Sequence, residues 1–253
     1  MVDAVKDFYD RLTANYHLIF DDWDRSIQHQ ADTLSAILEG DCGVTRGARV
    51  LDCACGIGTQ SLALASVGYD VIASDISPAA VERTRAEAEK RHFHVQTYVA
   101  NLLDLTVIPE TDFDAVICLD NALPHLQDDD VIRAAIQVRQ KMRTGSYFLG
   151  SIRDYDLLVR DRPAVQGPVF YTDASGRRIV HQVWDWKDER AYDFHLYITR
   201  EVAGDWEAQH YSSSYRAILR EELDRLLEAS GFQHCRWVLP AESGFYQPIF
   251  IAT

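Results

Sequence analysis

Apolar positions in this chain follow two rhythms. Between residues 49 and 151, short apolar runs alternate with stripes that repeat every three to four residues. Such runs read as strands and such stripes as amphipathic helices. The runs are Arg49–Cys53, Tyr69–Ser74, His94–Ala100, Phe113–Leu119 and Gly145–Ser151. Helices are predicted over Thr59–Val67 (closed at Gly68), from Ser77 to about Arg91, and over 128–142. Ser77-Pro78 supplies an N-cap with proline at the first helical position. Phe113–Leu119 is apolar throughout, as in a strand buried on both faces. This alternation predicts a parallel, doubly wound sheet. Right-handed crossovers then bring the ends of the first four strands to one crevice.

The flanks have different rhythms. Residues 3–40 read as helices. Val5, Phe8, Tyr9 and Leu12 form one stripe, and Ile27, Ala31, Leu34, Ile37 and Leu38 another. Between them lie Tyr16, Ile19, Phe20 and Trp23, around an expected break at Asp21-Asp22. These aromatics suit either core packing or a lid over the crevice. Residues 178–215 read as three strands with turns at Lys187–Glu189 and Ala203–Asp205, an antiparallel insertion. A helix is expected over Leu219–Ala229, closed by Gly231. Strands 233–239 and 245–252 then form an antiparallel hairpin on the sheet edge. The expected organisation is a helical lid (1–45), an α/β core (46–151), an antiparallel cap (152–216) and a C-terminal completion of the core sheet (217–253). The whole is an α/β fold with a mostly parallel seven-stranded sheet and a C-terminal antiparallel strand.

Composition narrows the partners. Lys and Arg total 25 against 39 Asp and Glu, a net charge of −14. So acidic a chain has poor long-range attraction to nucleic acid or anionic lipid. A small-molecule substrate is expected, with no nucleic acid and no membrane; both a monomer and a homo-oligomer stay open. The five cysteines show no Cys-x-x-Cys spacing and read as reduced, buried residues, with no metal site. No leader is legible at the N-terminus and no run approaches membrane-spanning length, so a cytoplasmic location is expected.

The chemistry concentrates at Val50–Gln60, VLDCACGIGTQ, where strand one ends, the chain turns on Gly56 and Gly58, and a helix opens. Bare backbone and free helix N–H groups face whatever fills the turn. A dinucleotide would call for a third glycine, where Ser61 stands. S-adenosylmethionine carries no phosphate and calls for acids instead, one near its amino group and one at its ribose. Asp52 and Asp75 supply them, Asp75 lying 17 positions after Gly58.

VLDCACGIG resembles motif I of class I S-adenosylmethionine-dependent methyltransferases. It is closest to the form VLDxACGxG of glycine and sarcosine N-methyltransferases and their small-molecule relatives, which include methyltransferases of toxoflavin-type heterocycles. Ala54 replaces the usual first glycine. FDAVICLDNALPHL (113–126) resembles that family's FDAVICLGNSFAHL, departing at Asp120, Ala122, Leu123 and Pro124, and RDYD (153–156) resembles its RNYD. FYQPIFIA near the C-terminus matches in outline.

The resemblance implies a Rossmann-like fold and S-adenosylmethionine as cofactor, with S-adenosylhomocysteine as product. It implies that Asp52, Ala54 and Gly56 line the methionine end, that Asp75 binds the ribose and that Ile76 packs on adenine. Asn101 and Leu102 would hold the adenine amino group, Leu119 the methionyl segment, and Arg25 the cofactor carboxylate; Tyr9 and Tyr16 would also contact the cofactor. Asn121 and Arg153 would hold the substrate, Arg153 through a carboxylate. Arg153 could instead form an ion pair with Asp154, Asp156 or Glu201. His125 could serve as a base or as a structural hydrogen-bonding residue. Tyr16, Trp23, Tyr155 and Tyr246 would surround the substrate, with Tyr192, Tyr211 and Tyr215 further candidates. The aromatics Phe170, Tyr171, Trp184, Trp186, Tyr192 and Phe194 suit a small core or a stacking wall. The expected reaction is in-line methyl transfer to nitrogen. O-methylation, S-adenosylmethionine binding without transfer, and a nicotinamide-dependent oxidoreductase are the alternatives.

Overall fold

A computed structural model describes residues 2–173 and 176–253. Helix α1 (Val2–Leu12) leads through a 3-10 turn at Tyr16–Ile19 to α2 (Trp23–Asp41). The break expected at Asp21-Asp22 is a helix cap: the Asp22 carboxylate accepts the Arg25 N–H at 3.0 Å. The core follows as β1 (Arg49–Asp52), α3 (Thr59–Ser66), β2 (Asp70–Asp75), α4 (Pro78–Lys90), β3 (Val95–Val99), β4 (Phe113–Cys118), α5 (Asp128–Lys141) and β5 (Met142–Ser151). The helix expected over 128–142 stops one residue early, and β5 begins at Met142.

After the core come α6 (Tyr155–Asp161), β6 (Val165–Asp173), β7 (Gly176–Trp186), β8 (Ala191–Val202) and β9 (Asp205–Arg216). The chain ends with α7 (Arg220–Ala229), β10 (Cys235–Val238), α8 (Pro240–Ser243) and β11 (Ile249–Ala252). The three expected antiparallel strands are present as β7, β8 and β9. Two elements of this region were not expected, α6 and β6. Strand β6 contains Gly167 and Pro168, its register slips between Gln166 and Val169, and it borders the sheet. Proline inside a strand is tolerated at such an edge, but in a sequence it reads as a turn.

The main sheet has the order β10-β11-β5-β4-β1-β2-β3. Strand β11 runs antiparallel to both β5 and β10, and the other pairs are parallel. The order reverses between β1 and β4, so their carboxyl ends flank an open crevice, the usual ligand position in such sheets. The second sheet has the order β6-β7-β8-β9. A single apolar cluster joins the two: Leu51, Val116 and Phe148 belong to the same packed core as Trp184, Phe194 and Ile198. The antiparallel sheet is therefore seated on the core. Arg178 of β7 ties it to the lid by donating to the carbonyls of Leu18 at 2.9 Å and Phe20 at 2.6 Å.

Candidate active site

The crevice starts where β1 ends. Gly56 (φ +52°) and Gly58 (φ +89°) take left-handed backbone, the conformation that admits the sharp turn into α3. A methyl group on Gly58 would meet Thr84 of α4 at 2.8 Å, so this glycine also lets α3 and α4 approach. Asp75, at the end of β2, braces the turn by accepting the N–H groups of Gly56 and Ser77, each at 2.9 Å. Asp52 accepts the Ser61 hydroxyl at 2.6 Å and the Ala54 N–H at 3.3 Å. Burial pushes the Asp52 carboxyl up to about 7 and raises that of Asp75.

Tyr9, Tyr16, Ala54, Gly56 and Asp75 line this crevice, together with Ile76, Asn101, Leu102 and Leu119. It holds about 940 Å³ including its mouth. Two residues read as cofactor contacts lie off the wall. Asp52 is buried behind the turn, and Arg25 sits on the surface, paired with Asp21 at 3.4 Å and Asp22 at 3.6 Å. Among the described residues, the wall carries Asp75, Asp120 and Asp130 but no lysine or arginine. His125 also lines it. Burial pushes its imidazole down to about 3, keeping the ring neutral. Its Nδ1 donates to the Ser214 carbonyl at 3.3 Å, and its Nε2 accepts the Tyr9 hydroxyl at 3.1 Å. With both nitrogens engaged, His125 pins the lid to the antiparallel sheet and has no free lone pair for a substrate proton.

A second chamber, about 1490 Å³ including its mouth, opens beyond Tyr9, Tyr16 and Asp120, which line both spaces. Asn121 and Arg153 face it. The Arg153 guanidinium lies 4.8, 4.9 and 5.0 Å from the ring centres of Trp184, Phe194 and Tyr215. It also donates to the Tyr192 hydroxyl at 2.7 Å. The ion pairs considered for it do not form. Asp154 and Asp156 pair with Arg220 at 3.4 and 3.2 Å, and Glu201 pairs with Arg177 at 2.6 Å. Among the described residues no carboxylate lies within ion-pair distance of Arg153.

The remaining residues read as substrate contacts are divided. Tyr246 stands at the mouth of the chamber, half exposed. Tyr155 is fully buried behind the chamber, its hydroxyl 2.9 Å from that of Tyr192, and so buttresses the residue that holds Arg153. Trp23 lies outside the chamber. Its indole N–H donates to Thr59 at 2.9 Å, which ties α2 to α3, and Arg83 and Arg91 lie over its ring at 5.5 and 5.2 Å, which ties α2 to α4.

In the sequence Asp120 is a departure from the resembling segment that alters the pocket floor, with no chemical role assigned. Both Asp120 (φ +59°) and Asn121 (φ +67°) are left-handed, two consecutive non-glycine residues in a sparsely allowed region. Ser151 holds them there: its hydroxyl accepts the Asp120 N–H at 2.9 Å and its carbonyl the Asn121 N–H at 3.2 Å. Gln60 donates to the Asp120 carboxylate at 2.8 Å and to Gln30 at 2.8 Å. An Asp-Asn pair directly after an apolar strand was the available signal, since these residues tolerate left-handed backbone. Tyr192, Phe194 and Leu196 alternate along β8, which marks one inward face and part of the cage around Arg153.

A glycine turn at the switch point of a doubly wound sheet, braced by an acid at the end of the second strand, forms a crevice for a nucleoside-type ligand. Residues 50–145 match the methyltransferase domain family. Over 170 residues the chain is 34% identical to the glycine/sarcosine N-methyltransferase of Parasynechococcus marenigrum (strain WH8102), covering 65% of this chain and 55% of that one. Over 107 residues it is 35% identical to the ubiquinone biosynthesis O-methyltransferase of Xanthomonas campestris pv. campestris (strain B100), covering 42% and 44%. The chain thus spans about half the length of the curated relatives it matches. The structure of S-adenosylmethionine-bound CalS10, an amino pentose methyltransferase from Micromonospora echinaspora, aligns with a TM-score of 0.71 at 17% identity, covering 90% of this chain and 91% of that one. That likeness is one of fold.

Proposed function

We propose that this chain transfers a methyl group from S-adenosylmethionine to a nitrogen of a small molecule bearing a carboxylate. One observation carries the reading: two chambers share the wall Tyr9, Tyr16 and Asp120; among the described residues the first is lined by Asp75 and Asp130 with no lysine or arginine, and the second holds, beside Asp154 and Asp161, the Arg153 guanidinium with no carboxylate at ion-pair distance. The acidic side disfavours the pyrophosphate of a dinucleotide and favours a ligand with sulfonium and ammonium charges. When bound, S-adenosylmethionine supplies an activated methyl group. The protein's task is then to align the acceptor and exclude water.

On the acceptor side, the planar fork of Arg153 suits a carboxylate bidentately, and its aromatic surroundings strengthen that pairing by lowering the local dielectric. Glycine- or sarcosine-like amino acids meet both requirements. A toxoflavin-type heterocycle would use the rings around Arg153 and leave the guanidinium itself without a partner. A hydroxyl acceptor is the alternative raised by the O-methyltransferase relative. It would have to lose a proton far less acidic than that of an ammonium, and His125, neutral and doubly bonded, offers no base for it.

A screen with methyl-labelled S-adenosylmethionine against amino acids, nitrogen heterocycles and hydroxy acids tests the reading. Label is expected in N-methyl products, with one S-adenosylhomocysteine formed per methyl transferred. Label confined to hydroxyl acceptors would make the chain an O-methyltransferase. Binding of S-adenosylhomocysteine with transfer to no acceptor would make it a binding protein.

A further inference from the structure

Asp120, on the wall that the two chambers share, carries a polar atom without a partner. Its Oδ1 is shielded from solvent and has no hydrogen-bond partner among the described residues, while the equally shielded Nδ2 of the adjacent Asn121 lies toward the Tyr155 hydroxyl. An unsatisfied buried polar atom on the wall of a cavity calls for an explanation, and a ligand that completes it is one. Asp120 sits with Asn121 on a strained turn fixed by Ser151, so its direction is set before any ligand arrives. The other carboxylate oxygen of Asp120 is held by Gln60, which stops the group from rotating away. Arg153 lines the same chamber and is the natural holder of a carboxylate. The segment resembling this stretch carries glycine where Asp120 stands, so the carboxylate is a feature of this chain.

We propose that Asp120 is the amine-recognising catalytic residue, and that it selects primary and secondary alkylammonium acceptors over ring nitrogens and hydroxyls. The assignment rests on the methyltransferase reading above. Its free oxygen accepts an N–H of the acceptor's ammonium group while Arg153 holds the carboxylate at the other end. The proton passes from nitrogen to Asp120, which frees the nitrogen lone pair. That pair forms the new N–C bond as the C–S bond breaks, and the C–S electrons stay on sulfur to give the neutral thioether. Asp120 returns its proton to water as the product leaves. A neutral ring nitrogen already has its lone pair free and gains nothing from the carboxylate. Asp52, Arg153, Tyr16 and Tyr215 are the titratable and charged groups that face Asp120. The tyrosines stay neutral, Arg153 favours the Asp120 carboxylate and Asp52 opposes it. Burial nonetheless pushes the Asp120 carboxyl up to about 6, so deprotonated Asp120 is lost below that pH.

The experiment compares wild type with Asp120→Asn and Asp120→Gly. Asparagine keeps the shape and removes the charge, and glycine accepts the φ of +59° without strain. Probes are glycine, sarcosine and L-alanine as alkylammonium acceptors and lumazine as a ring-nitrogen acceptor, with labelled S-adenosylmethionine. The dissociation constant for S-adenosylhomocysteine is measured in parallel. Wild type should label an amino acid, with an acid limb in kcat/KM near pH 6. Both variants should lose about 100-fold or more in kcat/KM for it, with less than about a threefold change in S-adenosylhomocysteine binding, and the residual activity of Asp120→Asn should lack the acid limb. Variants that keep wild-type amine turnover and the acid limb overturn this assignment alone. Wild type that labels only lumazine, or none of the panel, overturns both the assignment and the reading on which it rests.

Discussion

The side-chain carbonyl of Asn121 accepts the backbone N–H of Arg153 at 3.0 Å. This one bond ties the loop after β4 to the loop after β5. The residue beside the donor crevice therefore sets the position of the guanidinium in the acceptor chamber. The first expectation concerns that guanidinium. Arg153→Lys keeps a charge but loses the planar fork and the stacking on three rings. The acceptor KM should rise about 10- to 100-fold, in line with about 1.5–3 kcal/mol for hydrogen bonds to charged groups. Binding of S-adenosylhomocysteine should stay nearly unchanged by calorimetry. Equal losses on both sides would assign Arg153 a general structural role.

Proton linkage gives a second expectation. Burial raises the carboxyls of Asp52 to about 7 and Asp120 to about 6, above their ordinary range. Groups whose folded pKa is raised contribute stability that is full at low pH and lost as pH rises through the folded pKa. Between about pH 4 and 7 these two acids therefore weaken the ligand-free fold as they ionise. A cationic ligand in the crevice, which Asp120 lines and Asp52 backs from behind the turn, favours the ionised form, so its binding releases protons and tightens with rising pH. The increase in Tm caused by saturating S-adenosylmethionine should be larger at pH 7.5 than at pH 5.5. An equal or smaller increase at pH 7.5 would place the sulfonium and amino charges away from these acids.

Backbone geometry gives a third. Gly58→Ala must hold a left-handed φ of +89° and place a methyl 2.8 Å from Thr84. The combined cost is about 2–4 kcal/mol, which corresponds to a fall in Tm of about 5–15 °C for a chain of this size. Thr84→Ala in the same chain removes the obstructing atoms and should recover part of the loss in a thermal melt. No recovery would mean that the left-handed turn alone accounts for the effect.

The lid supplies a fourth. Arg178 is buried and holds the carbonyls of Leu18 and Phe20 while also pairing with Asp173. Arg178→Ala frees the segment that carries Tyr16, a residue of both chambers. Amide hydrogen exchange over residues 14–22 should accelerate, and kcat/KM for the acceptor should fall by more than the affinity for S-adenosylhomocysteine. Unchanged exchange there would show that the lid is held by α1 and His125 instead.

The core was legible because its physics is local. Continuous apolar strands, helical stripes and capped helix starts each announce themselves within ten residues, and Gly56, Gly58 and Asp75 follow from turn chemistry and spacing. The acceptor side was less legible because its parts meet only in three dimensions. Trp184, Phe194 and Tyr215 surround an arginine that lies over thirty positions earlier in the chain. Trp23 reads as a substrate aromatic, yet a hydrogen bond to Thr59 and two overlying arginines make it a packing residue. Arg25 falls at the cofactor end by position, but the adjacent Asp21 and Asp22 hold it at the surface. Asp120 stood in view as a departure from the resembling segment. Its importance lies in an unpartnered oxygen on a residue that lines both chambers, which only the folded chain brings together.

The central claim is that the glycine-turn crevice takes S-adenosylmethionine. Calorimetric titration of the purified chain with S-adenosylhomocysteine and, separately, with NAD tests it most directly. S-adenosylhomocysteine should bind one to one, with affinity about 10- to 100-fold weaker in Asp75→Ala, as expected for lost charge-assisted hydrogen bonds, and NAD should show no saturable binding. Tight NAD binding without S-adenosylhomocysteine binding, or an affinity unchanged in Asp75→Ala, would contradict it.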